Sequence, residues 1–354
     1  MEIFDILTKA VKIGASDIHV VIGKPPMVRH IGEMKPLDGF TEIITPEEAK
    51  RLIYSMLYDE HKKKFEEELE LDCSFNLPNV SRFRVNVLMH RNGIGAVLRI
   101  ISTKIPSPEQ LRLPEAIIKL AYLPRGLVLV TGPTGSGKST TLACMIDIIN
   151  STRTDHIITM EDPIEFVYES KKCIVTQREV GQHTLSFAAA LKHALREDPD
   201  IVLVGEMRDL ETISGAITIA ETGHLVFATL HTTDAPSTVD RIIDVFPPHQ
   251  QQQVRMQLST ALQAVVCQTL IPTADGMGRA AAREIMIATP AIANLIREGK
   301  THQLYQTIEV GAKMGMISLD KALAKLVQDG LIKTEDALAK AHNPESVKMA
   351  IYGR

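Results

Sequence analysis

Eight consecutive residues, Gly132-Pro133-Thr134-Gly135-Ser136-Gly137-Lys138-Ser139, carry the most specific chemistry in the chain. Their spacing, G-x-x-x-x-G-K-[ST], is that of a phosphate-binding loop. Such a loop needs a strand before it and a helix after it. The apolar run Leu127–Val130 precedes it, and Leu142, Met145, Ile146 and Ile149 fall on one helical face beyond it. The glycines let backbone N–H groups converge on phosphate oxygens, and the helix N-terminus adds a positive partial charge. The expected nucleotide-binding set is Gly132, Pro133, Thr134, Gly135, Ser136, Gly137, Lys138, Ser139 and Thr140. Lys138 would reach the β- and γ-phosphates, and Ser139 would ligate Mg²⁺.

Three further apolar runs follow, at 156–160, 201–204 and 225–230, separated by amphipathic helical patterns. That alternation predicts a mostly parallel sheet with helices on its faces, and ligands in such folds bind beyond the carboxyl ends of the strands. The residues after each run are therefore the candidates. The second run ends in Glu161-Asp162, with Glu165 close by. The third ends in Gly205-Glu206, followed by Arg208-Asp209. An acidic strand end helps to hold Mg²⁺, and a carboxylate orients the attacking water. The usual Asp position is Gly205 here, which leaves Glu161 and Glu206 to divide water activation and metal contact, with Asp162 a further metal candidate. The fourth run lies between His224 and His231. An imidazole there could sense a γ-phosphate, with Thr229, Thr232 and Thr233 to orient it.

Upstream, residues 82–88 alternate: Phe83, Val85 and Val87 on one side, Arg82, Arg84 and Asn86 on the other. Arg99 stands on a returning strand. An arginine-bearing strand face is either a solvated surface or an anion-recognition face. Residues 1–14 have helical spacing of Ile3, Leu7 and Val11. Thr45-Pro46 with Glu48 signals a helix start with a capping box. Pro106, Pro108 and Pro114 mark a linker over residues 102–114, between a first domain, 1–101, and a core, 115–354.

The 354 residues are 45% hydrophobic and 23% charged, which excludes global disorder. The net charge of −4, the absence of Trp and the 4% aromatic content argue against a nucleic-acid-coating protein or translocase. Cys73, Cys144, Cys173 and Cys267 form no C-x-x-C pair, so no zinc site is expected. No run approaches a membrane span, and the N-terminus lacks the pattern of a signal peptide, so a cytoplasmic location is expected.

Taken together, Gly14–His19, Gly132–Thr141, Ile158–Glu165, Gly205–Asp209 and Gly223–Thr232 resemble the secretion-type traffic ATPases, and within them the PilT-like type IV pilus retraction ATPases. The resemblance runs from about residue 3 to 345. It implies an α/β architecture with an N-terminal PAS-like α+β domain followed by a RecA-like P-loop ATPase core, assembled as a hexamer. It implies ATP and Mg²⁺ as ligands, an inner-membrane pilus platform protein as partner, and peripheral membrane association through that partner. Carried over, Glu161 is the candidate catalytic base, Glu206 belongs to the Walker B segment, and His224 and His231 to a His box. Arg82, Arg84 and Arg99 match arginines that reach a nucleotide across an interface. Pilus extension and type II secretion ATPases are the alternative. They are usually longer and often carry a four-cysteine zinc insert, which favours the retraction type. The family's A-I-R-N-L-I-R-E helix stands here as Ala291–Glu298, with Ala293 in place of the first arginine.

Overall fold

The alternation at residues 82–88 is a strand with one buried face. In the computed structural model Phe83, Val85 and Val87 are fully buried, and Arg82, Arg84 and Asn86, which alternate with them, are not. The structure describes residues 1–30, 32–78, 80–101 and 104–353; Ser102 and Thr103 of the expected linker, and Ile31, the last residue of a strand that the sequence pattern predicts over 27–31, lie outside the described residues. The chain divides into two units, Met1–Lys104 with Glu165–Val167, and Ile105–Ile164 with Tyr168–Arg354.

The first unit runs α1 (Ile3–Lys12), β1 (Asp17–Val20), β2 (Met27–His30), β3 (Glu33–Pro36), α2 (Pro46–Tyr54), α3 (Asp59–Glu68), β4 (Glu70–Leu77), β5 (Ser81–His90) and β6 (Gly93–Ile101). Its strands form an antiparallel sheet in the order β3-β2-β1-β6-β5-β4. Ile3, Ile6, Leu7 and Ala10 of α1 are fully buried at the expected helical spacing and join Phe83, Val85 and Val87 in one core. Thr45 caps α2 by accepting from the Glu48 N–H at 3.3 Å. The reciprocal half of the capping box does not form, because the Glu48 carboxylate bonds Arg51 instead. Register places Ser74, Arg84, Arg99, Asp17 and Arg29 opposite one another on successive strands, so the arginines share one row of the sheet.

The second unit runs α4 (Glu115–Leu120), β7 (Gly126–Thr131), α5 (Lys138–Thr152), β8 (His156–Glu161), β9 (Ile174–Glu179), α6 (Phe187–Ala194), β10 (Ile201–Val204), α7 (Leu210–Glu221), β11 (Leu225–Leu230), α8 (Ala235–Asp244), α9 (Pro248–Ala261), β12 (Leu262–Pro272), β13 (Arg279–Ile287), α10 (Pro290–Arg297), α11 (Leu304–Val310), α12 (Leu319–Gln328), α13 (Thr334–Lys340) and α14 (Pro344–Tyr352). The sheet order is β13-β12-β7-β11-β10-β8-β9, parallel throughout except at β13. All four expected apolar runs are strands. They are buried along almost their whole length, as strands covered on both faces must be.

Glu284 on β13 is fully buried and ties two helix starts to the sheet. Its Oε1 accepts from the Ala235 N–H of α8 at 2.8 Å, and its Oε2 from the Leu319 N–H of α12 at 3.4 Å. Burial raises its pKa above the ordinary glutamate range, and these two hydrogen bonds offset only part of that rise. A carboxyl that holds its proton more tightly folded than unfolded favours the folded state in acid. That contribution is lost as pH climbs through the folded pKa. Glu284→Gln, which cannot ionise, should therefore gain thermal stability relative to the unsubstituted chain as pH is raised above the ordinary glutamate range. Melting curves of the two proteins that run parallel over that rise in pH would contradict this.

Candidate nucleotide site

The loop after β7 takes a shape that only glycines allow at its two ends. Gly132 has φ 139°, and a Cβ there would lie 2.1 Å from the Gln268 carbonyl oxygen. Gly137, at φ 84°, is the N-cap of α5 and offers no capping side chain. The first turn of α5 contains no acidic residue, so its N–H donors are left for an external anion. Lys138 folds over the loop and donates from Nζ to the carbonyls of Gly132 at 2.8 Å and Pro133 at 3.2 Å. Ser136 is 2% exposed, and its Oγ has no hydrogen-bond partner among the described residues. A buried orphan hydroxyl, an uncapped helix and a lysine converge here, and that donor set fits a polyphosphate. Ser139 and Thr140, half-buried in the first turn, complete it.

Three parallel strands carry the other groups at the same edge of the sheet. With neighbours about 4.8 Å apart, the ends of β7, β11, β10 and β8 spread over roughly 15 Å, the scale of a nucleotide triphosphate and its attacking water. Glu161 at the end of β8 is 7% exposed. Its Oε1 accepts from Thr159 Oγ1 at 2.6 Å and from Gln177 Nε2 at 3.2 Å. Glu206, just beyond β10, has its Oε1 shared by Arg208 Nε at 2.6 Å and His231 Nε2 at 2.7 Å. Burial pushes the Glu206 pKa up, but Arg208 and His231 outweigh it and hold the carboxyl below its ordinary range. At position 205 a side chain would be tightly placed. A Cβ on Gly205 would meet the Met160 carbonyl at 3.1 Å and Glu161 Cα at 3.2 Å. On β11, Thr229 Oγ1 donates to the Gly205 carbonyl at 2.5 Å and so fixes the β10 end to its neighbour.

Asp162, next to Glu161 at this edge, is exposed. Other expected residues stand elsewhere. His224 sits at the amino end of β11, a strand length of about 20 Å from the loop edge. Its Nδ1 lies 3.0 Å from the Ile219 carbonyl and 3.2 Å from Thr222 Oγ1. Asp209 caps α7 by accepting from the Thr212 N–H at 2.8 Å. In the first unit Arg82 donates to Ser74 Oγ at 2.6 Å, Arg84 is exposed, and Arg99 pairs through Nε with Asp17 at 2.9 Å. Burial raises the Asp17 pKa, but hydrogen bonds from Ser16 and Arg99 hold it below the usual carboxylate range. Ala293 is half-buried on α10, between the fully buried Ile292 and Ile296. Among the described residues no cluster of three His, Cys, Asp or Glu side chains is placed to hold a metal ion. Ser139 therefore fits Mg²⁺ best as an ion arriving with phosphate, since that ion keeps few protein ligands. A groove of about 690 Å³ between α11 and the start of α14 contains none of these groups.

Sequence reasoning passed over Thr159, Gln177, Gln268 and Arg283. Thr159 was readable, since two residues before Glu161 on a strand is the same face. Gln177, Gln268 and Arg283 lie on β9, β12 and β13, which the four apolar runs do not include.

A phosphate loop and acidic strand ends on one parallel sheet define a P-loop nucleotide-binding core. The chain belongs to the family described as Type II/IV secretion system protein, whose model matches residues 2–339. Over 349 residues it is 54% identical to the Pseudomonas aeruginosa type IV pilus retraction ATPase PilT, covering 98% of this chain and all of that protein. It is 53% identical to a twitching motility protein of Neisseria gonorrhoeae, over 91% of this chain and 86% of that one. A crystal structure of the pilus retraction motor PilT with bound ADP superposes with a TM-score of 0.92 at 48% identity, covering 98% and 99% of the two chains.

The two glycines most exposed to test differ in kind. Gly135, at φ 78°, has nothing within 4 Å of a Cβ, whereas Gly132 abuts the Gln268 carbonyl. Gly135→Ala should cost about 1 kcal/mol of backbone strain. Gly132→Ala should cost at least about 3 kcal/mol, adding an overpacked contact to the strain. Equal losses in urea unfolding would contradict the close approach of β12 to the loop.

Proposed function

We propose that the chain is an ATP-hydrolysing motor that powers type IV pilus retraction by driving pilus disassembly. The observation that carries this reading is the likeness to the retraction ATPase along the full length of both chains, with the phosphate loop intact. The loop residues Gly132–Thr140 bind the triphosphate, and Lys138 shifts its Nζ from loop carbonyls to the β- and γ-phosphate oxygens. Glu161, oriented by Thr159 and Gln177, accepts a proton from the attacking water. The water oxygen bonds to the γ-phosphorus as the bond to the bridging oxygen breaks, giving ADP and inorganic phosphate. Mg²⁺ supplies charge neutralisation on the phosphates; Ser139 would hold it, with Asp162 and Glu206 as the nearby carboxylates.

Glu206 takes the supporting role. Its charge is already shared by Arg208 and His231, which hold the carboxyl below its ordinary range and so weaken it as a base. His231 thereby connects the end of β11 to the Walker B carboxylate, so a change at the γ-phosphate is felt by both strands. His224, at the other end of β11, belongs to the transmission of that change rather than to the bond-breaking step. Arg82, Arg84 and Arg99 supply guanidinium groups to a nucleotide within a homo-hexamer. No helix among the described residues is long and apolar enough to cross a membrane. The likeness to the retraction ATPase supports a motor that works from the cytoplasmic side on an inner-membrane platform protein through a protein surface.

Lys138→Ala should abolish ATP hydrolysis, and undiminished turnover would end the assignment. Glu161→Gln should bind ATP normally and lose about 10²–10⁴ in turnover. Wild-type turnover there, with loss in Glu206→Gln, would move the base to Glu206. A deletion strain should be hyperpiliated and unable to twitch; a bald strain would favour the extension motor.

A further inference from the structure

We infer that Gln268 and Arg283 form a brace behind the phosphate loop, acting as positioning residues that link nucleotide binding to the segment entering the core. The inference rests on the reading of Gly132–Thr140 as the phosphate loop. Gln268 is on β12, next to β7, and is 4% exposed. It meets the loop at both ends. Its main-chain carbonyl lies against Gly132, and its Nε2 donates to the Ser136 carbonyl at 2.5 Å, close to Gly137. Its Oε1 accepts from Thr141 Oγ1 at 2.8 Å, on the first turn of α5, and from Arg283 Nε at 2.8 Å.

This arrangement has one satisfied orientation. Turning the amide by half a rotation would set its NH₂ against the Arg283 N–H and its oxygen against the Ser136 carbonyl. Arg283 therefore decides which end of Gln268 faces the loop. Arg283 is itself 6% exposed, and its remaining donors reach the Arg112 carbonyl at 3.4 Å and the Leu111 carbonyl at 3.3 Å. Arg112 has φ 47°, an unusual backbone for a non-glycine residue, so the anchored segment is held in a defined and mildly strained shape.

The brace also carries charge. No carboxylate among the described residues stands against Arg283, and burial pushes its pKa down to about 10. A guanidinium held only by neutral oxygens is costly to bury. Gln268 touches both the loop and Arg283, so nucleotide occupancy and the position of residues 111–112 should be coupled through its amide.

Gln268→Glu separates this from simple packing. The variant keeps acceptors for Thr141 and Arg283, and gains an ion pair, but replaces the donor facing Ser136 with an oxygen. Measured with MgADP, its Kd should rise about tenfold or more, while the melting temperature of the nucleotide-free protein does not fall. Arg283→Met should also weaken MgADP binding. In the double variant Gln268→Leu/Arg283→Met the loss should not exceed that of Gln268→Leu alone, because Arg283 acts through Gln268. Unchanged MgADP affinity in Gln268→Glu, or losses that multiply in the double variant, would overturn the inference. Lys138→Ala provides the separate control. If it too binds MgADP normally, the phosphate-loop reading has failed; if it alone loses binding, only the brace has.

Discussion

The carbonyl of Gln268 approaches Gly132 so closely that no side chain fits between β12 and the start of the loop. That contact sets the path of the chain as it leaves β7. From it follow the turn through Gly135, the left-handed Gly137 and the uncapped start of α5. Within the loop the Ser136 N–H bonds the Pro133 carbonyl at 3.2 Å, while the first amides of α5 have no capping side chain, an arrangement that suits a ligand able to answer them. The buried Ser136 hydroxyl and the inward fold of Lys138 are consequences of the same geometry. The nucleotide site is thus a product of sheet packing as much as of the loop sequence.

The two carboxylates at the strand ends are separated by their neighbours rather than by their residue type. Glu161 is held by the neutral hydroxyl and amide of Thr159 and Gln177, whereas Glu206 is held by Arg208 and His231. Arg208 and His231 hold the Glu206 carboxyl below its ordinary range, while Thr159 and Gln177 fix the direction of Glu161. Gly205 lets β10 lie against Glu161 and so keeps the two groups on adjacent strands. The same logic applies at Asp17 in the first unit, where Arg99 fixes a carboxylate while its own side chain stays largely exposed.

Much of this was legible in the sequence, and the rest was hidden for identifiable reasons. The phosphate loop and four buried parallel strands announce themselves, because each is a short apolar run followed by a chemically marked turn. The strands β9, β12 and β13 do not. β9 is a half-buried edge, and β12 follows α9 with no turn residue between them. Gln177, Gln268 and Arg283 were lost with those strands. The position of His224 was obscured for another reason. Two histidines on one strand look alike in sequence, yet a six-residue strand puts them at opposite edges of the sheet. The half-formed capping box at α2 shows the limit of local patterns, since Arg51 offers Glu48 a charged partner that outcompetes the backbone.

The central claim is that a nucleotide's phosphates are bound by the main-chain donors between Gly132 and Thr141. Hydrogen–deuterium exchange with and without ADP and Mg²⁺ tests it most directly. The account predicts slowed exchange at the amides of residues 135–140, where the helix start is uncapped. Unchanged exchange there, with new protection instead around the groove lined by Tyr305, Glu309 and His342, would contradict it.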